Sequence, residues 1–274
     1  MKLHFPAMKT TASIALCALV ALTACRKDRS SNDDNSTAVS LAGASSASQS
    51  VYDDAFDVIT TEGESSNVSR VATCAVVTLS PNDTITFPKT MTIDFGSGCT
   101  SVNGITRKGK IVATLSGKLK KTGTTISVAL TNYYVNDYHV EGTYSITNNS
   151  GSGNGLNYTT AINGGKLTYP DGAWYTYTGT HTLAQTNGIG TVTVNDDVYS
   201  WSGGFTTSSS AGNSLSGSIS TPLTKSMACK NIISGVETFT YNGISGTINY
   251  GDGSCDNLAT LTIGASTKTI ILPR

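Results

Sequence analysis

The sequence predicts an all-β fold: an antiparallel meander, curved sheet or sandwich, preceded by one short helix. From about Val71 onward, apolar and polar residues alternate with a period of two, which is typical of half-buried strands. Asn-Gly, Gly-Gly and Pro-Asp-Gly turns interrupt this alternation repeatedly. The chain of 274 residues contains 34 Ser, 42 Thr and 28 Gly, residues that suit pleated surfaces and tight turns. We therefore expect a single β-rich domain over residues 51–274.

The helix is predicted at residues 49–61, QSVYDDAFDVITT. Its apolar residues recur at helical spacing, Ser48 or Ser50 is available as the N-cap, and Asp53 and Asp54 lie near the positive end of the helix dipole. Gly63 ends the segment.

Two hairpins have predictable registers. A two-residue turn at Asn242-Gly243 pairs Tyr241 with Ile244, and it also pairs Phe239 with Gly246 and Glu237 with Ile248. In the hairpin spanning residues 126–147, a two-residue loop at Asn136-Asp137 would put Tyr134 opposite His139 and break the apolar pattern, so we expect a three-residue loop at 135–137, which keeps the apolar residues on one face. It pairs Tyr134 with Tyr138, Leu130 with Gly142, Val128 with Tyr144 and Ile126 with Ile146.

The charge composition excludes one class of partner. The chain has 18 basic and 18 acidic side chains, and only 13% of its residues are charged. A protein that binds nucleic acid by neutralising phosphates needs a basic stripe, which this sequence lacks. The net charge is also too low for a disordered acidic or basic tail.

The N-terminal residues 1–24 have the order of a secretory signal peptide, with Lys9, an apolar run over 12–21 and small residues before Cys25. The run is too short for a permanent membrane span. The small residues followed by Cys25 resemble the lipobox of bacterial lipoproteins, in which the cysteine is acylated and becomes the first residue of the mature chain. An ordinary signal peptide with a chance cysteine is the alternative.

Residues 25–50 are polar and Ser-rich, and we expect them to form a flexible tether. Arg26 follows the cysteine and an acidic pair comes at Asp33-Asp34. By resemblance to lipoprotein sorting signals, these residues favour the outer membrane, on its periplasmic or cell-surface side. A merely soluble linker remains the alternative.

Four cysteines remain after processing, and an even number in an exported chain indicates disulfides. Nearly equal separations and similar flanking segments favour the pairs Cys74–Cys99 and Cys229–Cys255. Metal binding is the alternative, but the sequence has no CxxC pair.

Three segments, TIDFGSGCTSVNGITRKGKI, NYYVNDYHVEGTYSITN and TINYGDGSCDNLATLTI, resemble those of a family of uncharacterised bacterial lipoproteins. The resemblance extends over about residues 53–272. It implies a lipobox, a short helix and an antiparallel β domain, and it assigns no catalytic residue.

Candidate chemistry is sparse. His139 is predicted to face solvent and His181 to lie in the core, and no nucleophile, metal or cofactor motif is present. We therefore assign no catalytic residue, metal or cofactor. Trp174, Tyr175 and Trp201 are candidate ligand-contacting aromatics that would stack on a sugar or seat an acyl chain. Their alternative role is in the core.

The sequence thus predicts a lipid-anchored outer-membrane protein without enzymatic activity, a surface interaction or structural module attached to the membrane through Cys25. Its candidate partners are a glycan, a lipid or another envelope protein. A periplasm-facing carrier for a lipid or glycan is one alternative function, and an uncharacterised hydrolase is another.

Overall fold

The structure is a computed structural model that describes residues 21–64, 75–83, 85–152 and 155–274, with helix side chains described over 33–63. Within this part of the chain, the protein is one antiparallel sheet and one long helix, which confirms the all-β prediction. The helix is α1 (Ala21–Glu64), and a 3₁₀ turn covers Val194–Asp196. The strands are β1 (Val76–Ser80), β2 (Lys89–Asp94), β3 (Cys99–Thr100), β4 (Thr106–Leu115), β5 (Thr125–Val135), β6 (Tyr138–Asn148), β7 (Asn157–Thr168), β8 (Trp174–Asn187), β9 (Val198–Ser209), β10 (Ser214–Ser226), β11 (Ser234–Tyr241), β12 (Ile244–Asp252), β13 (Leu258–Ile263) and β14 (Ser266–Ile271).

The sheet is a meander. Each strand pairs with its neighbour in sequence from β1 to β14, except that β3 pairs beside β2 on β4. Short hairpin connections make these pairings local in sequence, as an antiparallel sheet allows. One face of every long strand carries the buried residues and the other carries exposed Ser, Thr and charged residues.

The sheet curls around α1, so that the helix is the centre of the core. Helix side chains contact strands from β4, through Arg107, to β12, through Tyr250. Four tyrosines from the sheet enclose two helix aromatics at ring-centroid distances of 5.6 to 6.2 Å. Tyr144 and Tyr177 pack on Tyr52, while Tyr158 and Tyr199 pack on Phe56. Such enclosure stabilises the helix through burial more than through its intrinsic propensity.

Two predictions about the N-terminal part are wrong. The helix is not short, and residues 38–50 are not a flexible tether, because they form part of α1 and most of their side chains are buried. Ser45, Ser46 and Ser48 are each at most 1% exposed. Small Ala, Ser and Gly side chains allow the inward-facing tyrosines to approach the helix closely. The β-rich domain therefore includes a helical segment that begins before residue 51.

The two hairpins test the register predictions. The Asn242-Gly243 turn gives the predicted pairs between β11 and β12, with positive φ at both turn residues. The three-residue loop is wrong, since Asn136-Asp137 forms a two-residue turn that pairs Tyr134 with His139. A bulge between Ala129 and Tyr133 absorbs the extra residue. The predicted pairs Val128–Tyr144 and Ile126–Ile146 are therefore correct.

Candidate functional site

The outward face of the sheet carries an unbroken lateral row of small residues across thirteen strands. Eleven of the thirteen positions are Ser or Thr, and none of the thirteen is buried. The row runs from β1 to β14 through Ser80, Thr90, Thr114, Ser127, Ser145, Ala161, Thr180, Gly204, Ser218, Thr238, Thr247, Thr262 and Thr267. Since neighbouring strands lie about 4.8 Å apart, the row presents a regular, uncharged line of hydroxyl groups to solvent.

A second outward row carries aromatic side chains at the turn-proximal ends of β5, β6 and β8. The register places Lys108, Tyr134, His139, Thr168 and Trp174 side by side on adjacent strands. The rings of Tyr134 and His139 stack at 4.4 Å. We call Tyr134, His139 and Trp174 the aromatic row.

Charged side chains next to the aromatic row are paired with one another. Lys108 lies 2.7 Å from Asp137, and Lys166 lies 3.1 Å from Glu141. The Lys166 ammonium also sits 5.5 Å from the ring centroid of Trp174, a cation–π distance. Each of the two cations is therefore paired with a carboxylate.

The structure separates the three aromatics that the sequence singled out. Trp174 is 37% exposed and belongs to the aromatic row, whereas Tyr175 points to the opposite face and its hydroxyl lies 2.7 Å from Ser40 on the helix. Trp201 is only 4% exposed and packs 5.8 Å from His181 in the core. The pleat thus directs Trp174 away from the face of Tyr175 and Trp201, and Trp201 takes the alternative role in the core.

The two histidines lie where the alternation predicts. His139 is partly exposed on the outer face, and His181 is buried. Burial lowers the pKa of His181 to about 4, although Asp53 opposes this shift. His181 is therefore a neutral core residue.

A buried cluster of ion pairs joins the helix to the sheet and to the last residue of the sequence. Arg107 binds Asp54 through two nitrogens, at 2.8 and 2.6 Å. Lys225 lies 2.9 Å from Asp57, and Arg274 lies 2.7 Å from Asp53 and 3.0 Å from Asp57. We call these three carboxylates and three cations the ion-pair cluster. Its formal charges balance.

Carboxylates of the ion-pair cluster differ in their protonation equilibria. Burial alone would raise the pKa of Asp54, but Arg107, together with Arg274 and the Tyr133 hydrogen bond, lowers it overall. Burial and the neighbouring Asp53 raise the pKa of Asp57 to about 6, against the opposing effect of Lys225 and Arg274. One Asp57 oxygen, Oδ1, has no hydrogen-bond partner among the described residues.

A cavity of about 700 Å³ opens beside the ion-pair cluster, where the last turns of α1 meet the loops. Asp57 and Thr61 line it from the helix, and Asn103, Lys230 and Asn257 line it from the sheet side. The cavity lies against side chains already held in ion pairs, and it holds no histidine or aromatic ring among its lining residues.

A further buried acid, Glu237 of β11, lies beside an earlier part of α1, close to Ser46. The hydroxyl of Tyr250 is 3.0 Å from Glu237 Oε2 and 3.1 Å from Ser46 Oγ. Burial raises the pKa of Glu237 to about 8, although the Tyr250 hydrogen bond opposes this shift. Glu237 is consequently protonated at neutral pH. The Tyr250 hydroxyl is the donor toward both Glu237 Oε2 and Ser46 Oγ, and its single hydrogen serves one of them at a time.

The predicted cysteine pairing is confirmed for one pair. Cys229 and Cys255 form a disulfide across a separation of 26 residues. Cys99 is buried and disulfide-bonded, but its predicted partner Cys74 lies outside the described residues. Cys25 lies in α1, before the residues whose side chains are described. Most of the predicted signal peptide, residues 1–20, also falls outside the described part.

Two further properties concern only the described residues. No helix there has the length and hydropathy that a bilayer crossing requires. No group of three or more His, Cys, Asp or Glu side chains there is arranged to hold a metal ion.

Comparison with known proteins does not assign the chain to a group: no family model, no curated protein and no solved structure matches it. The resemblance to bacterial lipoproteins therefore stays an expectation based on the quoted segments.

Sequence reasoning missed the aromatic row and the ion-pair cluster. A signal for the cluster was present, since Lys225 shares its strand face with the buried Leu223. A charged residue at an inward position of a strand indicates a buried partner. No such signal identified Tyr134 and His139, because their stacking depends on the two-residue turn that follows Val135.

Proposed function

We propose that this chain is a lipid-anchored protein of the bacterial outer membrane, a non-enzymatic interaction module attached through Cys25. The observation that carries this proposal is the outward hydroxyl row together with the filled interior. A carrier needs space inside its sheet, and here α1 and the tyrosines that surround it occupy that space. Apart from the cavity beside the ion-pair cluster, whose lining includes side chains already held in ion pairs, the outer surface is the part that a partner can reach.

The Cys229–Cys255 disulfide supports the proposed location of the protein outside the cytosol. A Cys229–Cys255 bond persists in an oxidising compartment, such as the periplasm or the cell surface, and is rare in the cytosol. This agrees with the export expected from residues 1–24.

Helix α1 provides a spacer between the proposed anchor and the core. Ala38, the first buried helix residue described, comes thirteen positions after Cys25 in the sequence. At 1.5 Å per residue, these positions span about 20 Å. A sheet held this far from the bilayer exposes its outer face to partners in the envelope.

The anchor is tested by expressing the full chain in a Gram-negative host and comparing it with the Cys25→Ser variant. We expect the unaltered protein in the outer-membrane fraction, with a diacylglycerol thioether on its N-terminal peptide by mass spectrometry. Cys25→Ser is expected in the soluble envelope fraction. The Cys17→Ser variant, which changes another cysteine of the same segment, is the matched control and should fractionate like the unaltered protein. An unmodified Cys25 in the membrane-bound protein would refute the proposal.

A further inference from the structure

We propose that the aromatic row of Tyr134, His139 and Trp174 binds an uncharged, linear oligosaccharide that lies across β5 to β8. This inference names a partner class for the proposed interaction module and rests on that function for its setting. The binding itself does not depend on the acyl anchor.

The first argument is the geometry of the aromatic row. Three ring-bearing residues stand on the same outward face of β5, β6 and β8, and Thr168 of β7 lies between His139 and Trp174. Four adjacent strands span about 14 Å from the first to the last, at about 4.8 Å per step. A row of this length accommodates several sugar rings in sequence, not a single one.

The second argument is the exposure of Trp174. An outward Trp that is 37% exposed leaves apolar area in contact with water, and a flat partner with an apolar face would cover it. The C–H faces of a pyranose ring are such a partner. Lys166 lies over the same indole and lies 3.1 Å from Glu141, so the ring is held in a defined position.

The third argument is charge. Lys108 is paired with Asp137 and Lys166 with Glu141, so each of these two cations already has a carboxylate partner and neither is left to select an acidic ligand. Recognition must then come from ring stacking and neutral hydrogen bonds. The neighbouring outward positions on β8, β9 and β10, Thr176, Ser208 and Ser214, provide hydroxyl groups for those bonds.

These features also argue against a membrane surface as the occupant. A peripheral membrane site carries an excess of Lys or Arg beside its aromatic residues. The aromatic row has equal numbers of paired acids and bases beside it. A glycan satisfies both the rings and the neutral polar surroundings.

The experiment uses the full-length Cys25→Ser protein, so that loss of the anchor and loss of glycan binding are measured separately. The probes are the β-1,4-linked hexasaccharides of glucose and of mannose, the charged hexamer of galacturonic acid, and phosphatidylethanolamine–phosphatidylglycerol vesicles. Binding is followed by calorimetry and by Trp fluorescence. Trp174 is exposed and Trp201 is buried, so a ligand at the aromatic row changes the Trp174 emission.

We expect saturable binding of at least one neutral hexasaccharide with a blue shift of the Trp emission. Trp174→Ala and Tyr134→Ala are each expected to weaken binding by about tenfold or more. Val192→Ala is the control, because Val192 is 97% exposed and lies in the loop between β8 and β9. It should leave both affinity and emission unchanged. Circular dichroism confirms that each variant is folded.

Three outcomes would overturn the inference. One is the absence of binding by either neutral hexasaccharide up to about 10 mM, well above the millimolar range of weak specific sites. Another is binding that Trp174→Ala and Tyr134→Ala leave unchanged. The third is an emission shift with the vesicles or the galacturonate hexamer but not with the neutral sugars, which would assign the row to a membrane or an acidic polymer.

Discussion

Individual buried side chains in this protein combine polarity with near-complete exclusion from water. Glu237 is the clearest case, because it is fully buried and interacts with Tyr250, which itself approaches Ser46. A neutral carboxylic acid suits this place, since it carries no charge into the core. The raised pKa of Glu237, about 8, follows mainly from that burial.

Replacing Glu237 with Gln is expected to stabilise the protein increasingly as the pH rises. Below the ordinary Glu pKa of 4.5, both folded and unfolded carboxyls are protonated and the variant differs little. Between 4.5 and about 8, the unfolded carboxyl ionises while the folded one stays protonated, so the wild type loses stability. Above about 8 the difference stays constant, on the order of 4 kcal/mol.

Denaturant unfolding of wild type and Glu237→Gln at pH 5 and pH 9 measures this effect. Glu141→Gln is the matched control, because the Glu141 side chain is 42% exposed, and it should show little change with pH. An equal effect of Glu237→Gln at both pH values would contradict the buried neutral acid.

At the scale of elements, the helix shows where sequence reasoning succeeds and where it fails. Residues 51–59 have an apolar period that predicts a helix, and they are helical. Residues 38–50 lack that period because small Ala, Ser and Gly residues are buried on most sides of the helix, with contacts such as Tyr175 to Ser40 and Tyr250 to Ser46. Their helical state depends on enclosure by strands that are far away in sequence, so local composition predicts a linker.

The strands were easier to predict than their connections. Alternation identifies an inward and an outward face, which correctly placed Glu237 with Phe239 and Trp174 opposite Tyr175. It does not locate bulges, and because the bulge after Ala129 is not visible in the alternation, the pattern favours a three-residue loop over the two-residue Asn136-Asp137 turn. Alternation also does not tell which apolar face is exposed, so from the sequence alone Trp201 stays open between ligand contact and the core.

Because α1 is enclosed by the sheet, a charged substitution should have very different effects on stability at Leu41 and at Ser36. Leu41→Asp places a charge where the side chain is fully buried, and we expect it to destabilise the protein by at least about 3 kcal/mol or to prevent folding. Ser36→Asp, on an exposed position of the same helix, should change stability by less than about 0.5 kcal/mol.

Hydrogen exchange on the unaltered protein gives a second measurement of the same element. Amides of residues 42–59 should be among the slowest to exchange, with protection close to that of the global unfolding. Fast exchange of these amides, or equal stability of the Leu41→Asp and Ser36→Asp variants, would contradict a buried helix and would favour a flexible tether.

The whole molecule is held together by contacts that join its first element to its last. Leu272 donates a backbone hydrogen bond to Asn257, Asn136 donates to Pro273, and the side chain of Arg274 reaches the helix. The segment after β14 thus links the β12–β13 connection, the β5–β6 turn and α1. A curled meander whose two edge strands do not pair with each other gains closure from such a link.

The Arg274→Met variant, which removes the guanidinium charge, is expected to lower the free energy of unfolding by about 3–5 kcal/mol. The three carboxylates of the ion-pair cluster are then left with only two cations. Lys268→Met is the matched control, since Lys268 lies on exposed β14, and its effect should stay within about 0.5 kcal/mol.

Arg274→Met is also expected to show a distinctive dependence of its stability on pH. Asp57 already has a raised pKa of about 6, and losing a cation raises it further, so the folded variant takes up a proton that the unfolded chain does not. Its stability deficit should therefore shrink as the pH falls from 7 to 5, when unfolding is followed by circular dichroism. A deficit that is as small as that of Lys268→Met, or independent of pH, would show that the ion-pair cluster does not couple the helix to the end of the sheet.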